Sequence, residues 1–268
     1  MIEESQIPSR YRSIIDDELG IFKNSVSVTS RNSIPETSQI PIENPSYWLK
    51  IPDVVCIFVD MIGSTKLSAT NHQNSTAKAY RLFSSTAVRL FSEFEASYID
   101  LKGDGVFALF DPNQVHRALA AAVTFKTFAK EEFVPKVQKD TNLDIGFHGG
   151  IDQKTVLVRK VGFKRHKGRT DRQNEVWAGK TVNMASKLAA EAGPNGLAVS
   201  ARYFDSLSAE EALRSCGCPD GEKVDLWTKE DVEYNPNFDF KVFYKLTSCW
   251  CAEHRSEYCR KILDADEQ

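Results

Sequence analysis

The run YIDLKGDGVFALF, residues 98–110, decides the fold. Apolar residues lead up to Gly103 and resume after Gly105, and Asp104 stands alone between the two glycines. That pattern predicts strand, tight turn and strand, with the carboxylate at the tip of a hairpin. Upstream, DVVCIFVD (53–60) is rich in β-branched residues and apolar on both faces, as a buried strand is, and it ends on an acid, Asp60. Between the two, residues 75–97 place Tyr80, Phe83, Ala87, Leu90, Phe91 and Phe94 at three- and four-residue steps, which predicts a helix with one buried stripe. Downstream, PNQVHRALAAAVTFKTFAKEEF (112–133) predicts a second helix with start signals at Pro112 and Asn113. LDIGFHGGID (143–152) predicts a strand, and TVLVRKV (155–161) another that pairs after it.

The order strand, helix, strand, strand, helix, strand is the split βαβ arrangement, an α+β fold of ferredoxin-like βαββαβ type. Right-handed crossovers set the first strand antiparallel to the third. Asp60 and Asp104, 44 residues apart in sequence, then meet at one edge of the sheet. Alone, a GDG is an ordinary hairpin turn and a strand ending in Asp is ordinary too. Brought together, two carboxylates repel unless they share a proton or a cation. Hard oxygen donors select Mg²⁺ or Mn²⁺, which bind through a few carboxylates plus substrate phosphates. This points to a nucleoside triphosphate. Gly63, Ser64 and Thr65, in the loop after Asp60 and ahead of a helix, offer backbone N–H groups and hydroxyls to phosphate oxygens. Gly105 is expected to ease the turn and leave room beside the ligand.

With 268 residues, 41% of them hydrophobic and 26% charged, the chain has enough material to bury a core. A net charge of −3 gives no bulk electrostatic reason to expect nucleic acid or membrane. No apolar run reaches membrane-span length and the N-terminus lacks the layout of a secretory signal, so a cytoplasmic protein is expected. Residues 1–45, poor in periodicity and rich in Ser, Thr, Asn and Pro, read as an N-terminal arm. Residues 46–205 read as the catalytic domain and 206–268 as a Cys-rich extension with β structure around 226–246.

FVDMIGSTKL, KGDGVFALF, GFHGGI and VWAGKTVNMASKLA, in that order and spacing, resemble the catalytic domain of class III nucleotidyl cyclases over roughly residues 50–205. The resemblance implies that Asp60, Asp104 and the backbone carbonyl of Met61 hold two divalent ions, Mn²⁺ or Mg²⁺. It implies that Asn183 orients the ribose and that Lys187, where the family has Arg, meets the α-phosphate. It also implies a homodimer whose sites lie at the subunit interface. The two positions that choose the base fall on Asp100 and Val176, and neither purine pattern is present. The wording is similar to a pyrimidine-cyclase branch of bacterial antiphage signalling. UTP is therefore the favoured substrate, with CTP open because Asp100 can accept from either pyrimidine, and a separate effector protein is expected to read the product. A purine cyclase, a silent nucleotide-binding module and a polymerase-like palm are the competing readings.

Three features stand outside that pattern. The basic run RKVGFKRHKGRTDRQNE (159–175) reads as a solvated loop or as a feeder of triphosphate. His148 reads as a core or strand histidine. Cys216, Cys218, Cys249, Cys251, His254 and Cys259 supply enough soft ligands for zinc, or form a set of reduced thiols.

Overall fold

The computed structural model describes residues 7–70, 73–232 and 234–267. The first six residues of the expected arm, Asn71 and His72 of the loop after the first strand, and Glu233 of the expected β extension lie outside them. In chain order the elements are α1 (Ser9–Phe22), β1 (Ser27–Ser30), β2 (Tyr47–Ile62), α2 (Ser64–Thr70) and α3 (Gln73–Glu93). The hairpin β3 (Tyr98–Lys102) and β4 (Gly105–Phe110) follows, then α4 (Val115–Phe128), α5 (Val134–Thr141), β5 (Gly146–Gly162) and β6 (Gln173–Ala178). The remainder comprises α6 (Lys180–Ala192), β7 (Gly196–Ser200), α7 (Ala201–Phe204), α8 (Glu210–Leu213), β8 (Trp227–Asp231), β9 (Val242–Leu246) and α9 (Arg255–Asp264).

These elements sort into two compact units. The larger comprises Asn32–Ile34, Ile51–Val156 and the chain from Gly179 onward. Its strands run in the order β3-β4-β2-β5-β7-β9-β8. The first four positions are the expected βαββαβ core, with β2 antiparallel to β4. β4 is buried at every residue, as the apolar run predicted for a strand covered on both faces. The stripe on α3 is present, with Ala79, Phe83, Ala87 and Phe91 buried. Phe83 meets Phe125 of α4 edge-on at 5.1 Å between ring centroids, and Phe125 meets Phe147 of β5 at 6.0 Å. The aromatic core therefore lies between the two crossover helices and the sheet. In the C-terminal extension, β8 and β9 pair antiparallel and β9 pairs with β7, so this β structure lengthens the catalytic sheet.

The smaller unit holds the chain up to Arg31, Pro35–Lys50 and Leu157–Ala178. β1 pairs in parallel with the start of β2, and the end of β5 pairs with β6. Residues 7–45, expected to be an arm without regular elements, thus contain a helix and a strand, although α1 buries none of its residues. The basic loop is the exposed tip of the β5–β6 hairpin. There Lys164 pairs with Glu43 and Arg169 with Asp171.

Three boundaries differ from expectation. The first strand begins six residues early, at Tyr47. The second crossover helix ends as an α-helix at Phe128 and passes through one π-helical segment, Ala129–Phe133, before α5. Residues 143–152 and 155–161 do not pair with each other: Gly146–Gly162 is one continuous strand, and the partner of its second half is β6. Nothing local forces a turn at Asp152, Gln153 and Lys154. The Asp152 carboxylate is fully buried in a two-pronged ion pair with Arg202, at 2.8 and 2.6 Å, and Lys154 reaches Asp239 at 2.7 Å. Distant partners thus satisfy a polar stretch that in sequence reads as a break.

Candidate active site

The hairpin and the end of β2 build the site. In the β2–β4 ladder Asp60 stands opposite Gly105, so Asp104 is one residue from direct register with Asp60. Two glycines make this possible for different reasons. Gly103 turns the chain with φ +68°, and a side chain there would meet nothing within 4 Å. Gly105 has no such backbone demand. A Cβ on it would come within 2.8 Å of the Phe58 ring and 3.2 Å of Asp60 Oδ1. Gly103 is therefore the residue that eases the turn, and Gly105 is the one that leaves room at the Asp60 carboxylate.

Asp60 keeps 29% of its side chain exposed and Asp104 is half-buried, so both carboxylates reach solvent. The Met61 side chain is buried in the core, which leaves its backbone carbonyl as the group it can offer. Two carboxylates, a carbonyl and a gap that a methyl group would fill form an oxygen-only donor set suited to Mg²⁺ or Mn²⁺. The residues present fit divalent ions.

The loop after β2 divides its three candidates. Gly63 packs against Asp144 and Ile145, Ser64 is buried on the same side of α2 as Leu67, and Thr65 is exposed. Ser64 therefore does not present its hydroxyl to solvent as expected, because a step of three residues along the helix aligns it with a core leucine. Thr65 is the hydroxyl available to a ligand.

His148 is the strand histidine of the sequence reading: it sits on β5, next to β2 in the sheet, half-buried and outside the core, with Nε2 3.4 Å from Asp60 Oδ2. The signal lay in GFHGGI: a strand beside β2 that carries one polar residue among glycines. The second glycine of that string, Gly150, is where α6 sits down. A Cβ there would lie 2.0 Å from the Ala185 carbonyl oxygen and 2.5 Å from the Ala189 nitrogen.

Asn183 and Lys187 are one helical turn apart on α6. They line a cleft of 230 Å³ together with Lys180, Pro236, Asn237 and Asp239, and neither Asp60 nor Asp104 is part of it. Lys187 Nζ donates to the Asn237 carbonyl at 2.8 Å. Asp239 anchors the loop that forms the far wall, accepting from Lys154 at 2.7 Å, Arg202 at 2.9 Å and Lys180 at 3.2 Å. Partial burial works against its charge, but these three cations prevail and hold its carboxyl well below the usual carboxylate range. This anchor carried no sequence signal.

The base-reading candidates fall in different units of the chain. Asp100 faces Phe107 in the β3–β4 ladder, accepts from the Leu101 N–H at 2.8 Å and pairs with Lys102 Nζ at 2.6 Å. Val176 belongs to the smaller unit, half-buried on β6 opposite Arg159.

A family model, the adenylate and guanylate cyclase catalytic domain, matches residues 47–226. The chain belongs to that family. This cyclase is also similar to two curated proteins, each named uridylate cyclase. The relative from Propioniciclava tarda is 34% identical over 254 residues, covering 92% of this chain and 81% of its own. The relative from Micromonospora echinofusca is 34% identical over 238 residues, covering 87% and 76%. Among solved structures, the guanylyl cyclase Cya2 aligns with a TM-score of 0.58 at 16% identity, over 76% of this chain and 95% of that one. The adenylyl cyclase CyaB from P. aeruginosa aligns with a TM-score of 0.59 at 13% identity, over 75% and 96%. Those identities speak for the fold. The family match and the two relatives make this cyclase a nucleotidyl cyclase enzyme. No helix among its described residues is long and apolar enough to cross a membrane.

Proposed function

We propose that the protein converts UTP into 3′,5′-cyclic UMP and pyrophosphate, with Mn²⁺ or Mg²⁺, in a homodimer, as a second messenger of antiphage defence that a separate effector reads. The register of Asp60 opposite Gly105 carries the chemical reading, because it brings a second carboxylate, Asp104, to the same sheet edge. The choice of UTP is supported by the two relatives named uridylate cyclase.

Asp60, Asp104 and the Met61 carbonyl would hold a pair of divalent ions, which when bound acidify the ribose 3′-hydroxyl and neutralise the triphosphate. The rest falls to side chains of the protein. Thr65 and its backbone N–H face the phosphates. Asn183 orients the ribose so that the 3′-oxygen lies in line with the α-phosphorus. As the new P–O bond forms, the bond to the β-phosphate oxygen breaks, the 3′-hydroxyl proton passes to solvent and pyrophosphate leaves. Lys187, released from the Asn237 carbonyl, places its charge on the α-phosphate, where negative charge builds in the transition state. Lys substitutes a point charge for the flat fork of Arg, so this contact neutralises without clamping two oxygens. Asn183 and Lys187 line a cleft that contains neither carboxylate, which supports a site completed by α6 of a second subunit. Asp100 accepts from the pyrimidine and exchanges its Lys102 partner for the base.

Incubation of the purified protein with ATP, GTP, CTP and UTP in turn, with Mn²⁺, followed by mass spectrometry of the products, tests the reading. Cyclic UMP is the expected dominant product. Dominant cyclic CMP moves the assignment to cytidylate cyclase, and a dominant cyclic purine nucleotide overturns it.

A further inference from the structure

Beyond the carboxylate site, the C-terminal segment gathers soft ligands. Of the six candidates, four converge: the Sγ atoms of Cys216, Cys218 and Cys251 and a ring nitrogen of His254 all lie within 4.8 Å of one another. His254 Nδ1 is 3.2 Å from Cys218 Sγ and 3.9 Å from Cys251 Sγ. All six cysteines are free thiols.

We propose that Cys216, Cys218, Cys251 and His254 bind one Zn²⁺ as a closed, structural Cys₃His site. Two local structures present the ligands. Cys216 and Cys218 flank Gly217 in a compact turn in which the Ser215 hydroxyl accepts from the N–H groups of Gly217 and Val224, at 3.3 and 3.0 Å. Cys251 and His254 lie three residues apart in the turn that leads into α9, where the Arg255 N–H donates to the Cys251 carbonyl at 3.0 Å. That turn brings the His254 ring beside the Cys251 sulfur, with Nδ1 3.9 Å from Sγ.

The geometry suits the ion. Tetrahedral zinc with Zn–S bonds of about 2.3 Å needs sulfurs about 3.8 Å apart, so the cluster needs to contract by only about 1 Å. The charges suit it as well: three sulfurs crowded about one point are relieved by a cation among them. Thiolates and imidazole prefer zinc to the hard ions that suit Asp60 and Asp104, so the two sites sort their metals by ligand chemistry. Four protein ligands leave no open position, which makes the site a clasp and not a second catalytic centre.

The clasp joins the 216–218 turn to α9, and α9 is tied to the catalytic core at its other end. Asp266, just past α9, accepts from the N–H groups of His116 and Arg117 at 2.9 and 2.7 Å, closing the N-terminus of α4. Zinc at the head of α9 and Asp266 beyond its tail therefore fix the extension onto the helix that backs the sheet.

Elemental analysis of the full chain, purified under reducing conditions, tests this. About one zinc per chain is expected in the native protein and in Cys249→Ser and Cys259→Ser, and less than about a tenth in Cys218→Ser and Cys251→Ser. To remain independent of variant folding, native protein stripped by a chelator is refilled with Co²⁺, and the intense visible spectrum of tetrahedral cobalt–thiolate is expected. A native chain that carries no zinc and takes up no Co²⁺ overturns the proposal. So does a disulfide among Cys216, Cys218 and Cys251 in the freshly purified protein, or equal zinc loss in Cys249→Ser and Cys251→Ser.

Discussion

At Gly105 there is no room for even one more carbon: the Asp60 oxygen and the Phe58 ring already occupy the space a methyl group would take. The close approach that excludes a side chain keeps the space beside the Asp60 carboxylate open. Asp60→Ala and Asp104→Ala are each expected to lower turnover at least about a thousandfold while leaving the melting temperature within a few degrees, because both carboxylates face solvent. Calorimetry beside a product assay checks both halves, and retained turnover in either variant removes the assignment. His148 Nε2 lies 3.4 Å from Asp60 Oδ2, placed to orient that carboxylate if it holds metal. His148→Ala is expected to raise the Mn²⁺ concentration needed for half-maximal rate by about tenfold or more, with a smaller effect on rate at saturating Mn²⁺. A metal titration reads the difference, and an unchanged half-saturation point would show that the histidine has no bearing on the site.

On the scale of elements, the contact between α6 and β5 is the tightest constraint near the site. Gly150→Ala puts a carbon 2.0 Å from the Ala185 carbonyl oxygen, so helix and strand must separate, at an expected cost of at least about 3 kcal/mol. Denaturant unfolding measures it, and a loss below about 1 kcal/mol would mean that α6 is loosely seated. The loop opposite α6 is held by charge. Asp239 has its pKa lowered by Lys154, Arg202 and Lys180, so its stabilisation is complete above the unfolded-state value of about 3.9 and is lost as the pH falls below that. Melting temperatures of the native protein and Asp239→Asn are expected to differ by a constant amount above about pH 5 and to converge below about pH 4. A gap that does not narrow in acid would assign the effect to something other than this carboxylate.

On the scale of the molecule, the residues of the proposed mechanism fall in two places. The carboxylates stand at one sheet edge, and Asn183 and Lys187 line a different cleft. If α6 serves the partner subunit, equal mixing of Asp60→Ala with Asn183→Ala chains restores about a quarter of native activity, because half the dimers are mixed and each mixed dimer has one intact site. The product assay on the mixture against each variant alone is the check, and no recovery would make each chain self-sufficient.

Much of this was legible in residue order because it depends on local rules. The apolar alternation around Gly103, the stripe on α3 and the order of elements determine a βαββαβ sheet, and the antiparallel register of β2 and β4 follows from its topology. The pairing of Asp60 with the hairpin tip could therefore be read before any coordinates. Contacts set by packing at long range could not. His148 lies 88 residues from Asp60, the uninterrupted run of β5 through Asp152 depends on Arg202, and which four of six soft ligands meet depends on how α9 docks. A sequence records which groups are present and how each short segment folds. Tertiary structure decides which distant groups share a dehydrated space, because burial and charge are satisfied by whatever partner the packed chain brings within a few ångströms.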